Sequence, residues 1–223
     1  MRRRQRRATS EYVGTLISMT ANHTDIEIES AANQLRAELS SRTGEFGAKL
    51  PLSDLVAYLA QRDRLSFSEA PLGKDVVGII EFAAAGGSIT LDAATATSPI
   101  ASFTLAHEIG HWVLHRDSHK QLVTLRRDLA VTNNPTEREA NRFAVHLLMP
   151  SKLVTAEFTR RYGSISRAFE DLSVSARERW NSRREYARFM ASKGQSSSLA
   201  AMDDEFGVSS TAMAIRLEEL ALV

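Results

Sequence analysis

The sequence contains no cysteine. That excludes disulfides and every thiolate metal site, so any metal must be held by imidazole and carboxylate groups. It has almost no excess of charge, a net +1 from 28 basic and 27 acidic residues, so bulk electrostatics names no partner class. It lacks any apolar run near the ~18 residues of a membrane-spanning helix. Its basic start (Arg2, Arg3, Arg4, Arg6, Arg7) is followed by polar Thr9, Ser10 and Glu11 rather than by the apolar core of a secretory signal. These absences lead to the expectation of a cytoplasmic chain with no membrane segment. The arginine cluster reads as a solvated tail, with nucleic-acid contact as the alternative. What remains is an ordinary composition, 43% hydrophobic over 223 residues, enough for a sizeable core in one or two domains.

The chain is organised around an apolar stretch holding His107, Glu108, Ile109, Gly110 and His111, an HExxH pentad. On a helix, residues four apart share a face, so the two imidazoles are presented to one point and can share a tetrahedral Zn²⁺. Glu108, beside the first histidine, is suited to take a proton from an attacking water and return it to the leaving amine. Taken alone, the pentad is equally a buried helix with two satisfied histidines. The flanks favour the metal reading: Ser98 as N-cap with Pro99 at the first helical position, then Ile100, Phe103, Ala106, Val113 and Leu114 as packing surface. Gly110 in mid-helix costs about 1 kcal/mol relative to alanine, which a close approach by another backbone or a substrate would explain.

Upstream, residues 12–19 read as a short helix within a tail. From Asp25, Ile28, Ala31, Ala32, Leu35, Ala37 and Leu39 recur at helical spacing. Residues 51–61 form a second helix with Leu52, Leu55, Val56, Tyr58 and Leu59 inward. Residues 76–82 and 88–92 read as a hairpin-like pair of strands. An edge strand beside the metal helix could hold an extended peptide by backbone hydrogen bonds.

A catalytic zinc of this kind takes a third protein ligand and keeps one position open. Asp117 has the spacing of one known pattern, but Leu114 stands where that pattern needs glycine. His115 lies a further turn along the same helix, where three imidazoles fall along a line. The third candidate is Glu137, on a helix whose one face carries Glu137, Ala140, Asn141, Ala144 and Leu148. Small Ala140 and Ala144 would let this helix approach the first. Asn141 could then accept the second ring N–H of a metal-bound histidine. Glu139 is expected on the solvent side. The competing reading makes Glu137 part of a capping box with Asn134, and on these residues the two readings remain open.

The two motifs together, Phe103 to His111 and Glu137, Ala140, Asn141, Phe143, Ala144 and Leu147 to Pro150, resemble the ImmA/IrrE-type metallopeptidases. The similarity covers residues 50–150. It implies an α+β, zincin-like core with zinc held by His107, His111 and Glu137, and Glu108 as catalytic base. His115 matches a histidine common in the family and is taken as a neighbour of the ligands or of the substrate. The arginine often found before the first motif is absent; Ser98 to Ser102 stand there. The family's substrates imply a helix-turn-helix transcriptional repressor as protein partner, its cleavage releasing mobile-element or stress-response genes. A non-catalytic regulator that uses the same fold to bind a repressor or DNA is the other reading. The oxyanion donor is left open among His115, His119 and Tyr162.

After Pro150 the chain is expected to stay helical, with Leu153, Phe158, Tyr162, Phe169 and Leu172 inward. Residues 175–195 read as one exposed charged helix, with a break at 194–198. At the end, Gly207 stops a helix and Ser209 caps the next, a helix-turn-helix-like spacing. Asp203, Asp204, Glu205, Glu218 and Glu219 outnumber Arg216 there, so packing or substrate docking is favoured over DNA binding. The resulting division is a basic tail (1–24), the metallopeptidase core (25–150), a helical insertion (151–195) and the C-terminal element (196–223).

Overall fold

In the computed structural model the described residues are 23–96, 98–118, 123–128, 134–163, 168–192 and 200–223. The arginine-rich tail, the helix expected at 12–19, His119 and the break at 194–198 lie outside them.

Helix α1 (Asp25–Thr43) starts on a reciprocal cap: the Thr24 hydroxyl accepts from the Glu27 amide, and the Glu27 carboxylate accepts from the Thr24 amide. It buries Ile28, Ala32, Leu35 and Leu39, whereas Ala37 is exposed. Helix α2 (Leu52–Asp63) turns through left-handed Arg64 into β1 (Leu65–Ala70). Strands β2 (Val76–Ala83) and β3 (Gly86–Asp92) form the expected hairpin, with Ala83 paired to Gly86. Two further strands were not foreseen. β1 lies parallel to β3, and β4 (Val123–Asp128) lies antiparallel to β2, giving the order β1-β3-β2-β4. Strand β4 alternates only at Val123 and Leu125 before Arg126, Arg127 and Asp128 break the pattern, so its sequence offers too short an apolar signal to read.

Helix α3 (Pro99–His115) packs against β2 and β3 on one side and against α4 (Pro135–Leu148) on the other. Ile80, Phe82 and Ile89 of the sheet meet Leu105, Ile109 and Trp112 of α3, and Phe143 and Leu147 of α4 join the same core. Each such fully buried side chain contributes roughly 1.5–3 kcal/mol. Phe82 stacks on Trp112 with centroids 5.8 Å apart, and the indole N–H donates to Asp63 at 2.8 Å. The sequence reading also placed Ile100 and Leu153 inward, and they are 46% and 41% exposed. Ser98 sits at the N-cap, but its hydroxyl donates to the Thr95 carbonyl at 2.7 Å instead of accepting from the helix.

The C-terminal third is folded onto this core. Helix α5 (Ser151–Tyr162) buries Val154, Phe158 and Tyr162. The stretch expected as one exposed helix is two, α6 (Val174–Arg177) and α7 (Arg183–Ser192), and α7 buries Tyr186, Ala187, Met190 and Ala191. Of its charges, Glu185 and Arg188 are exposed, whereas Arg183 and Arg184 are half-buried and donate to Val223 and Glu218 at 2.7 Å each. Helix α8 (Met202–Phe206) ends at Gly207 (φ 66°), and Ser209 caps α9 (Ser210–Glu219), which packs on α7. Arg216 is 1% exposed, with its guanidinium donating to the Met149 carbonyl at 3.1 Å and the Ser151 hydroxyl at 2.7 Å. It therefore holds α9 to the end of α4. From α1, buried Arg36 donates to the Leu147 carbonyl at 2.9 Å, so two arginines satisfy carbonyls that the end of α4 leaves open.

Candidate metal centre

Helical spacing within α3 brings His107 and His111 together, with Nε2 atoms 3.1 Å apart and both residues buried. The third donor arrives from α4. Oε2 of Glu137 lies 3.1 Å from His107 Nε2, and Oε1 lies 3.1 Å from His111 Nε2. The two helices approach this closely because Gly110 faces α4: a Cβ there would stand 3.1 Å from the Ala140 carbonyl oxygen. The sequence expectation of a close backbone approach at Gly110 is met by α4.

Three donors spaced near 3.1 Å fit one ion. Ligands about 2.0–2.1 Å from a tetrahedral metal are separated by roughly 3.3 Å. The chemistry of the donor set agrees, since two imidazole nitrogens and a carboxylate suit a borderline divalent cation. His107 Nδ1 lies 2.9 Å from Asn141 Oδ1, an atom that can only accept, so the ring proton sits on Nδ1 and Nε2 keeps its lone pair for a metal. In the metal-free protein burial works against the Glu137 carboxylate, but the facing rings of His107 and His111 outweigh it and hold the group well below the usual carboxylate range. A carboxylate lowered in this way is ionised at neutral pH, the state in which it could bind a cation.

The capping-box alternative for Glu137 does not form. Asn134 caps α4 by accepting from the Thr136 amide at 3.1 Å, while the Glu137 side chain turns to the histidines. Glu108 is fully buried, one residue from His107, and its carboxylate borders Gly78 of β2.

The IrrE N-terminal-like domain model, that of the Peptidase_M78 family, matches residues 69–218. The chain belongs to this family of ImmA/IrrE metallopeptidases. A search among curated proteins found no match to the chain. The family match begins inside β1 and runs into α9, so the likeness extends well past Pro150, where the sequence motifs stop. A metallopeptidase of this family needs a metal, and the triangle of His107, His111 and Glu137 is one of two His/Glu clusters among the described residues with suitable spacing.

The other cluster was not read from the sequence. Glu139, expected to face solvent, is only 5% exposed and accepts from His115 at 2.9 Å and from His23 at 2.8 Å. A helical wheel gives a direction from the axis of α4, but not what covers that side. Burial depresses the His115 pKa to about 4, although the bond to Glu139 opposes it. His23 carried no motif, and its only signal was a position just before the Thr24 cap. Of the suggested oxyanion donors, Tyr162 donates its hydroxyl to the Met190 carbonyl at 2.6 Å within the α5–α7 packing, and His115 is engaged by His111 and Glu139. Asp117 is not part of either cluster.

Proposed function

We propose that the chain is a zinc-dependent endopeptidase, with His107, His111 and Glu137 as ligands and Glu108 as general base. The observation that carries this reading is the triangle of three buried or half-buried donors, 3.1 Å on each measured edge, with an interior carboxylate next to it in the chain. When bound, the zinc lowers the pKa of a coordinated water toward about 7 and polarises the scissile carbonyl. Asn141 fixes the tautomer of His107 by accepting its Nδ1 proton. Glu108 receives the proton of the attacking water and hands it to the departing amine nitrogen, which leaves as a neutral group. The buried surroundings strengthen each of these interactions by excluding bulk water.

The substrate we propose is a helix-turn-helix transcriptional repressor, met in the cytoplasm, whose cleavage releases the genes it holds silent. The family resemblance supports that choice. The burial of Arg216 supports a packing role for the C-terminal element over DNA contact, because its guanidinium already donates to Met149 and Ser151. Incubation of the zinc-loaded chain with candidate helix-turn-helix repressors, those of any neighbouring genes first, tests the reading. Glu108→Gln should keep the zinc and slow cleavage by about 10²–10⁴-fold. A repressor that is bound but left intact by both proteins would favour a non-catalytic regulator.

A further inference from the structure

His23, His115 and Glu139 place donor atoms within 4.8 Å of one another, the same two-imidazole, one-carboxylate set as the metal centre beside it. His115 and Glu139 are 4% and 5% exposed. The Glu139 carboxylate lies 2.9 Å from His115 Nε2 and 2.8 Å from His23 Nδ1, and it also accepts from the His23 amide at 3.2 Å. A count of ring protons decides what this cluster does. If His111 offers the lone pair of Nε2 to a metal, its single proton is on Nδ1. That atom lies 3.0 Å from His115 Nδ1, which must then accept. The proton of His115 is therefore on Nε2, where it is donated to Glu139.

A metal in the second cluster would require the lone pair of His115 Nε2. It would force the His115 proton onto Nδ1, opposite the N–H of His111, and set two donors against each other at 3.0 Å. We infer that His23, His115 and Glu139 form not a second metal site but a hydrogen-bond relay leading outward from His111, and that His23 is its terminal positioning residue. The inference rests on the assignment of His111 as a metal ligand.

His23 immediately precedes the Thr24–Glu27 cap of α1, so the relay joins the start of that helix to the metal centre. Each link orients the next: Glu139 fixes the tautomer and plane of His115, and His115 fixes those of His111. Coupling of this kind is reciprocal. Metal binding strengthens the docking of His23, and docking of His23 strengthens metal binding by the same factor.

The test uses the full-length chain, with zinc affinity read by chelator competition and zinc counted per chain. Glu139→Gln keeps the shape but removes the charge, and should weaken zinc binding by roughly 10–100-fold. His23→Ala, one link further out, should weaken it by roughly threefold to tenfold, and His23→Gln, which restores an N–H donor, should recover most of that loss. Nitrogen-15 spectra of the zinc-loaded protein should place the proton of His111 on Nδ1 and that of His115 on Nε2, a signature that a merely structural role would not produce. The relay is overturned by unchanged affinity in both folded variants, by a second zinc that Glu139→Gln removes, or by a His115 proton on Nδ1. A wild-type chain that takes up no zinc overturns the ligand assignment itself, and the relay with it.

Discussion

Gly78 of β2 lies so close to Glu108 of α3 that a methyl group on it would stand 2.6 Å from the carboxylate oxygen. It would also stand 2.7 Å from the Thr104 methyl. A glycine inside a strand weakens the strand, and its use here is to leave room for a side chain from the helix above.

Gly78→Ala should therefore displace the Glu108 carboxylate without touching any of the three metal donors. A misplacement of about 1 Å costs on the order of 100-fold in rate, so kcat should fall by about that factor. Zinc content should stay unchanged, because His107, His111 and Glu137 are held by other contacts. A variant of full activity, or one that fails to hold zinc, contradicts this view of Gly78.

Glu137→Ala separates the two meanings that the sequence left open for this residue. A lost ligand should reduce zinc affinity by more than the roughly 10–100-fold typical of outer partners. A lost cap would instead lower the stability of the metal-free protein by about 0.5–2 kcal/mol. Since Asn134 caps α4 through Thr136, the affinity should collapse while metal-free unfolding changes little. Chelator competition and urea denaturation of the stripped protein read the two effects independently.

Gly110→Ala sets helix propensity against packing. Propensity alone favours alanine by about 1 kcal/mol. The new methyl would meet the Ala140 carbonyl oxygen and the Phe143 ring at 3.1 Å, and the Ala140 Cα at 3.2 Å. Two of these atoms are α4 backbone, so α3 and α4 must part. The expected net effect is a destabilisation of about 1–3 kcal/mol with weaker zinc binding, because Glu137 moves with α4. A rise in the denaturation midpoint would show that α4 yields easily.

His146 gives the stability a pH dependence that does not involve the metal centre. Burial and then the positive charge of Arg216 from α9 lower its pKa below the ordinary 6.5; Glu29 and Asp25 of α1 oppose this, and Arg142 of α4 adds to it. The unfolded chain therefore takes up a proton first as the pH falls below about 6.5, and the folded state loses ground until its own, lower pKa is passed. Above 6.5 both states are neutral at this residue and the contribution is flat. Urea titrations at several pH values should show a slope in the mildly acid range that is smaller in His146→Gln. Identical slopes in the two proteins would remove His146 from the account.

How much was legible in the sequence follows the range of the forces involved. The pairing of His107 with His111, the adjacency of Glu108, the hairpin of β2 with β3 and the stop at Gly207 are consequences of local periodicity and backbone preference. The reach of Glu137 to the histidines, and of Asn141 to His107, needed a second motif 34 residues from the first, and the family resemblance supplied the link. Other features had no local trace. The parallel pairing of β1 with β3, the charged strand β4, the burial of Arg216 and the inward turn of Glu139 each depend on what covers an element from elsewhere in the chain.

What the sequence determined by itself was the spacing of donors along a single helix, because 3.6 residues per turn is a property of the backbone. Only the tertiary structure decided which distant groups meet those donors: Glu137 across the Gly110 contact, Gly78 against Glu108, and His23 at the far side of Glu139. Packing between elements is a property of complementary surfaces, and those come into being only when the elements are assembled.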